Sequence, residues 1–206
     1  MRIVAINGSP RRSWNTEIML NKAIEGAKEN GADVEVYNLY NMKFSGCKSC
    51  FACKVRDGKS LGHCAVNDDL KPVLESIDKA DGLIIASPIY FGDITAETRA
   101  FYERLMFQYL NYEGAFFYNG KLKVACIYTM NAPQGYMDSF YKKYADTYNW
   151  YFEYVGTAAA TETLQTDDYD RFYLGKASEA AKKERRENVF PVECQKAYEL
   201  GKALLQ

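Results

Sequence analysis

The sequence predicts an α/β domain built on a parallel sheet, with helices on both faces. Two runs, Ile3-Val4-Ala5-Ile6 and Gly82-Leu83-Ile84-Ile85-Ala86-Ser87, are apolar almost throughout, as strands buried on both faces must be. Apolar residues recur at helical spacing between the apolar runs, which is the alternation that right-handed crossovers require. The first run also breaks directly into Asn7-Gly8-Ser9-Pro10, a polar, turn-rich loop leaving the carboxyl end of a strand.

Arg2 to Asn7 is the first strand. From Thr16, the residues Ile18, Met19, Leu20, Ala23, Ile24 and Ala27 share a helical face until Asn30-Gly31 stops the helix. Val34 to Leu39 is the second strand, and a cysteine-rich insertion follows at about 40–66. Asn67 or Asp68 can cap a short amphipathic helix running through Ile77. The third strand, Gly82 to Ser87, is expected to end at Pro88. Then come a helix from about Thr95 to Leu110, a strand at Leu122 to Tyr128, a helix from about Tyr136 to Tyr148 and a strand at Phe152 to Val155. The five strands point to a doubly wound sandwich. The segment at about 161–190 is rich in charge and lacks a wide apolar stripe. It reads as a solvated helix or excursion, with an arm embracing another subunit as the alternative. Pro191 opens a last helix, Val192 to Leu205. Residues 1–206 therefore read as one domain carrying two elaborations.

Charge narrows the partners. With 26 Lys and Arg against 27 Asp and Glu, there is no reason to expect nucleic acid or an anionic membrane, and a small partner is expected instead. The apolar run at the N-terminus is too short for a signal peptide and no later segment is long enough to cross a bilayer, so a cytoplasmic protein is expected. In that compartment six cysteines do not imply disulfides. Cys126, within a strand, and Cys194, on the last helix, read as small buried hydrophobes, and the lone His63 as a solvated residue. The seventeen Tyr and eleven Phe are read mainly as core and subunit-contact residues, the stretches 107–118 and 144–154 being candidate contact surfaces.

The loop from Asn7 to Thr16 carries hydroxyl or amide side chains at Ser9, Ser13, Asn15 and Thr16, basic Arg11 and Arg12, and the free N–H groups of the next helix. Those groups suit a phosphate monoester. The glycines of a dinucleotide turn, G-x-G-x-x-G, and the G-x-x-x-x-G-K-[ST] of a triphosphate loop are both absent. A second strand end, Ser87 to Thr95, offers aromatic surface at Tyr90 and Phe91, with Gly92 permitting close backbone approach. Ligands of open α/β sheets bind at such strand ends.

Cys47, Cys50, Cys53 and Cys64 fall within eighteen positions, the first three spaced by two residues. Three thiolates so spaced can converge on a [4Fe–4S] cluster, with Cys64 closing the fourth position. Four reduced thiols are the other reading. The paired C-x₂-C halves of a structural zinc site are not present.

Taken in order, G-S-P-R-R-S-W-N-T, C-K-S-C-F-A-C with C-A-V-N-D-D-L, and A-S-P-I-Y-F-G-D-I-T-A-E-T-R-A-F-Y-E-R resemble the NADPH-dependent FMN reductase family of flavodoxin-like proteins, in the branch that includes the iron-sulfur flavoproteins. The last helix, V-F-P-V-E-C-Q-K-A-Y-E-L-G-K, resembles that branch too. The resemblance implies a three-layer sandwich with strand order 2-1-3-4-5, FMN at the switch point, and a homodimer or homotetramer. It places Ser9, Arg11, Ser13, Asn15 and Thr16 on the FMN phosphate, and Pro88, Ile89, Tyr90, Phe91, Gly92 and Asp93 on the ribityl chain and ring. Thr129 and Asn131, in the loop after the fourth strand, occupy the third contact position, where many relatives carry glycines that this chain lacks. The last spacing of the cysteine motif, ten residues from Cys53 to Cys64, is longer than in the iron-sulfur flavoproteins. The implied activity is transfer of electrons from NADPH or NADH through FMN to a quinone-like acceptor or a redox protein, with no catalytic side chain required because the flavin carries the chemistry. An electron carrier that does not itself oxidise NAD(P)H, and a thiol redox sensor, are the other function classes open at this point.

Overall fold

Ile3 to Ile6 are completely sealed from solvent, which places strand β1 (Arg2–Asn7) at the centre of a sheet. The computed structural model describes residues 1–118, 120–133 and 135–206. β1 lies between β2 (Asp33–Asn38) and β3 (Gly82–Tyr90), and the parallel path continues through β5 (Lys123–Thr129) to β6 (Glu153–Ala160). The order β2-β1-β3-β5-β6 reverses at β1/β3 and so creates the crevice where such sheets bind ligands. With the two-residue antiparallel β4 (Asp93–Ile94) set aside, this is the order 2-1-3-4-5 that the resemblance implies.

Strand alternation divides the core into two halves. Ile3, Ala5, Ile84, Ala86, Ala125 and Ile127 face helices α1 (Asn15–Glu29) and α6 (Phe190–Ala203). Val4, Ile6, Leu83, Ile85, Val124 and Cys126 face α2 (Leu70–Ile77), α3 (Ala96–Tyr109) and α4 (Asp138–Tyr148). The resulting three layers are the doubly wound sandwich expected from the sequence. Tyr109, Tyr128, Tyr144 and Tyr148 are buried in the second half of the core, so the stretch 144–154 is core at Tyr144, Tyr148 and Phe152 and exposed at Trp150. No described helix is long and apolar enough to cross a membrane.

Three elements depart from the sequence expectation. β3 does not stop before Pro88 but continues to Tyr90. β1 has ended opposite Ala86, so at Pro88 only β5 demands ladder hydrogen bonds, and a missing N–H is tolerated there. β6 runs past Val155 to Ala160, with Val155 left unpaired at a register irregularity opposite Val124/Ala125. The charged excursion contains a helix, α5 (Glu179–Asn188), that is not merely solvated. Lys182 is buried against the Asn131 side chain, and Arg185 pairs with Glu193 at 2.6 Å and donates to the Thr161 carbonyl at 2.7 Å. Its cationic head groups, rather than an apolar stripe, fasten this helix down.

The β2 edge carries a polar cluster with a testable consequence. Glu35 accepts from Ser76, Tyr37 and Arg2, and these partners hold its carboxyl down to about 2 from an ordinary 4.5. Because the folded value lies below the unfolded one, the stabilisation is complete above about 4.5 and disappears as pH falls toward about 2. The side chain is 43% exposed, so solvent screening holds the contribution to about 1 kcal/mol at most. Glu35→Gln should therefore melt slightly lower than the parent at pH 7, and the two melting curves should converge near pH 2. A gap that persisted undiminished at pH 2 would show that the carboxylate is not its source.

Candidate functional site

The carboxyl ends of β1, β3 and β5 open into a cleft of about 540 Å³. Its polar pole is the β1–α1 loop. Ser9, Asn15 and Thr16 are buried there, and Arg11 stands at the mouth with its guanidinium 4.4 Å from the Trp14 ring. Trp14 precedes α1 without giving it a side-chain cap, so the positive end of the helix lacks the capping acceptor that usually occupies it. Pro10 costs nothing here, because the loop is held by other bonds: Ser9 N–H donates to Asn7 Oδ1 at 3.0 Å, and Arg11 N–H donates to Ser9 Oγ at 3.1 Å. Gly8 is required by contact, since a Cβ there would lie 1.9 Å from Thr98 Oγ1.

The opposite pole is apolar and aromatic. Pro88, Ile89, Tyr90 and Phe91 line it. Phe91 and Gly92 form a two-residue turn between β3 and β4, with Tyr90 paired to Asp93, and both central residues have positive φ, at 51° and 83°. Glycine adopts that geometry freely, whereas phenylalanine is strained in it. The turn leaves the Phe91 ring fully exposed at the cleft's rim.

The floor comes from the loop after β5. Thr129 Oγ1 and Thr16 Oγ1 lie 2.7 Å apart, tying that loop to the start of α1. The Met130 carbonyl accepts from both N–H and Oγ1 of Thr163 at 3.1 Å, joining the loop to the chain after β6.

The structure thus brings ten predicted contact residues to one cleft: Ser9, Arg11, Asn15 and Thr16 at one pole, Pro88 to Phe91 at the other, and Thr129 and Asn131 below. Ser13, Gly92 and Asp93 do not line it. Ser13 has φ 54° and turns its N–H to the Glu17 carboxylate. Asp93 faces away, accepting from Tyr144 Oη at 2.6 Å and lying 4.0 Å from Arg99. The aromatic Trp14 and the residues Thr163, Leu164, Gln165 and Leu174 also line the cleft and were missed from sequence. Arg11 Nη1 donates to the Gln165 carbonyl at 2.7 Å, and Asn15 Nδ2 to that of Leu164 at 2.9 Å, so the excursion forms a wall of the site. Arg186 reaches the same point, donating to Asn15 Oδ1 at 2.6 Å. The only available sequence signal was position: this segment leaves the carboxyl end of β6, at the same edge of the sheet.

A second cavity lies beneath the cysteine loop. Cys47, Cys50, Cys53 and Cys64 all line it, with α3 forming the far wall. The loop gets there through sharp reversals, Ser49 and Phe51 having φ 50° and 55°, and through Lys54, whose ammonium donates to the Gln108 carbonyl at the end of α3 at 2.9 Å. All six cysteines are free thiols. Burial pushes the Cys53 thiol up, as it does Cys126 to about 12 and Cys194 to about 11, the latter two being buried core positions. Among the described residues no three Cys, His, Asp or Glu side chains group closely enough to hold a metal ion. His63 lies on the surface, 3.0 Å from Asp78. Asp69, rather than the expected Asn67 or Asp68, occupies the N-cap position of α2, while Asp68 accepts from Leu70 N–H at 3.2 Å with one oxygen and pairs with buried Arg104 at 2.6 Å with the other.

Comparison with known proteins gives consistent likenesses. The family described as NADPH-dependent FMN reductase matches residues 1–137. An iron-sulfur flavoprotein of Methanosarcina thermophila is 36% identical over 104 residues, 50% of this chain and 52% of the relative. The iron-sulfur flavoprotein MJ1083 of Methanocaldococcus jannaschii is 32% identical over a similar span, 50% of this chain and 51% of the relative. The match thus spans about half the length of these curated relatives. Among solved structures, an NAD(P)H:quinone oxidoreductase from Methanothermobacter marburgensis superposes over 100% of this chain and 98% of its own, with TM-score 0.71 and 15% identity. An FMN-dependent NADH-azoreductase from Bacillus anthracis, solved with FMN, superposes over 98% of this chain and 100% of its own, with TM-score 0.61 and 14% identity. At such identities these structures bear on the fold.

Proposed function

The chain belongs to the NADPH-dependent FMN reductase family, and we propose that it is an FMN-dependent oxidoreductase taking electrons from NADPH or NADH and delivering them to a small acceptor such as a quinone, or to a redox protein. The observation that carries this reading is the two-poled cleft: buried hydroxyl and amide groups with an uncapped helix start at one end, and apolar and aromatic side chains at the other. A phosphate monoester linked to a planar ring has the same polarity. Bound FMN supplies the hydride-accepting and electron-releasing chemistry. Ser9, Asn15, Thr16 and Arg11 would hold its phosphate, while Ile89, Tyr90 and Phe91 would flank the ring. Leu164 and Leu174 would keep water from the cleft on the excursion side.

Convergence of the four cysteines on one cavity supports a second cofactor, a [4Fe–4S] cluster held by Cys47, Cys50, Cys53 and Cys64. Among the described residues the grouping fails for a single ion and the cavity is about 20 Å³, so a cluster, which needs its thiolates spread around it, would be admitted only with the loop moved outward. It would supply a one-electron outlet for the flavin. The exposed Phe91, Tyr112 and Trp150 are surfaces on which a homodimer or homotetramer could form.

An absorption spectrum of anaerobically purified protein, with FMN, iron and sulfide assayed on the same sample, tests both cofactors at once. Flavin bands that bleach on mixing with NADPH or NADH are the expected result; a protein that cannot take up FMN would sink the oxidoreductase reading. Cys50→Ser should lose the broad iron-sulfur absorption and keep its FMN. Iron content unchanged by that substitution would rule out the cluster assignment.

A further inference from the structure

The wall that α3 presents to the cysteine cavity holds two buried hydrogen-bond donors with nothing to bond. Arg104 and Gln108 are each 1% exposed, sit one helical turn apart on α3, and line the cavity together with the four cysteines. Arg104 spends its Nη1 on Asp68 at 2.6 Å and on the Ser45 carbonyl at 3.3 Å, and its Nη2 on the Val66 carbonyl at 3.3 Å, while its Nε is left without an acceptor. Gln108 uses its Oε1 to accept the Cys64 N–H at 3.0 Å, and its Nε2 is likewise without an acceptor. Leaving a buried N–H unbonded costs about 1–3 kcal/mol, so two such donors on neighbouring residues that line one cavity point to an acceptor belonging there.

The chemistry of that acceptor is limited by its neighbours. Four cysteines line the cavity, and Arg104 and Lys48 add positive charge to its lining. A group presenting sulfur and carrying net negative charge satisfies both conditions. We propose that Gln108 Nε2 and Arg104 Nε donate hydrogen bonds to the sulfurs of a cluster held by the four cysteines, and thereby raise its reduction potential. The direction follows from charge: reduction adds an electron to an already anionic cluster, and N–H groups aimed at its sulfurs stabilise the more negative state most. This inference rests on the cluster reading above. It adds two positioning residues from a helix that begins 32 positions after Cys64, outside the cysteine motif.

Two substitutions separate the donor from the rest of the side chain. Gln108→Met keeps the length and removes the donor without adding charge. Gln108→Glu keeps an oxygen for the Cys64 N–H and removes the donor. Both proteins and the parent would be purified anaerobically and reconstituted with iron and sulfide. Iron, sulfide and FMN contents and the melting temperature would be measured, and the cluster potential obtained by redox titration followed by absorption and electron paramagnetic resonance. Both variants should keep their iron and FMN, and both should be harder to reduce by about tenfold in the oxidised-to-reduced ratio, about 59 mV for a one-electron couple. An unchanged potential in Gln108→Met with full iron would overturn the donor assignment even if Gln108→Glu shifted, since charge alone would explain the latter. Loss of iron from both variants would overturn it as well, placing Gln108 in support of the loop through Cys64. A parent protein that takes up no iron would instead refute the underlying cluster reading.

Discussion

Replacing Gly201 with alanine is expected to lower the melting temperature by about 4–8 °C, against the usual stabilising effect of Gly→Ala inside a helix. Helices α1 and α6 lie together on one face of the sheet and touch backbone to backbone. A Cβ at Gly201 would fall 1.9 Å from the Ala23 carbonyl oxygen and 2.7 Å from its carbon. Gly26 makes the reciprocal approach, where a Cβ would fall 2.1 Å from the Tyr198 carbonyl oxygen. These obstacles are backbone atoms, so no rotamer change relieves them and the helices must separate. Overpacking of this kind costs about 1–3 kcal/mol or more, and the helix-propensity gain of about 1 kcal/mol offsets only part of it. A net loss near 2 kcal/mol corresponds to the stated shift for a chain of this size, at about 2–4 °C per kcal/mol. Gly26→Ala should behave similarly, and the double variant should lose less than the sum, because one separation of the helices accommodates both methyl groups. Thermal melts of the three variants decide the matter. A rise in melting temperature for Gly201→Ala would mean that the interface yields freely and that propensity governs.

The contrast between these glycines and the rest of the chain shows what sequence can and cannot convey. The central strands were legible because a parallel strand buried on both faces has no polar positions to blur it: Ile3 to Ile6 and Leu83 to Ala86 could hardly be anything else. The cleft residues at Ser9, Thr16 and Tyr90 were legible because ligand loops leave predictable strand ends. Gly201 carried no such signal, since its role depends on how closely it approaches Ala23, 178 positions earlier in sequence. The excursion, read as a solvated helix or excursion, was legible only in part for a related reason. Periodicity detects helices fastened by apolar stripes, whereas α5 is fastened by Lys182, Arg185 and Arg186 reaching polar groups beside the cleft. The cysteine spacing was visible, but the orphan donors of Arg104 and Gln108 become visible only when α3 packs against the loop.

Thr16→Val is expected to weaken FMN binding by about 10–100-fold while leaving riboflavin binding nearly unchanged, a loss of about 1.5–3 kcal/mol for one hydrogen bond to a charged phosphate. Thr16 is 2% exposed and stands in the first turn of α1, where the helix dipole and the uncapped N–H groups already favour an anion. Its Oγ1 shares a hydrogen bond with Thr129 Oγ1 at 2.7 Å, and because a hydroxyl both donates and accepts, it can take Thr129's proton and offer its own to phosphate. Valine preserves the shape and removes the relay. Riboflavin lacks the phosphate and so serves as the internal control: a defect confined to FMN locates the phosphate at this pole of the cleft. The orphaned Thr129 hydroxyl will cost some stability, so the melting temperature must be recorded without ligand to separate folding from binding. Titration by flavin fluorescence quenching supplies both dissociation constants. Equal losses for the two flavins would show that Thr16 supports the cleft as a whole, and no loss for either would move the phosphate elsewhere.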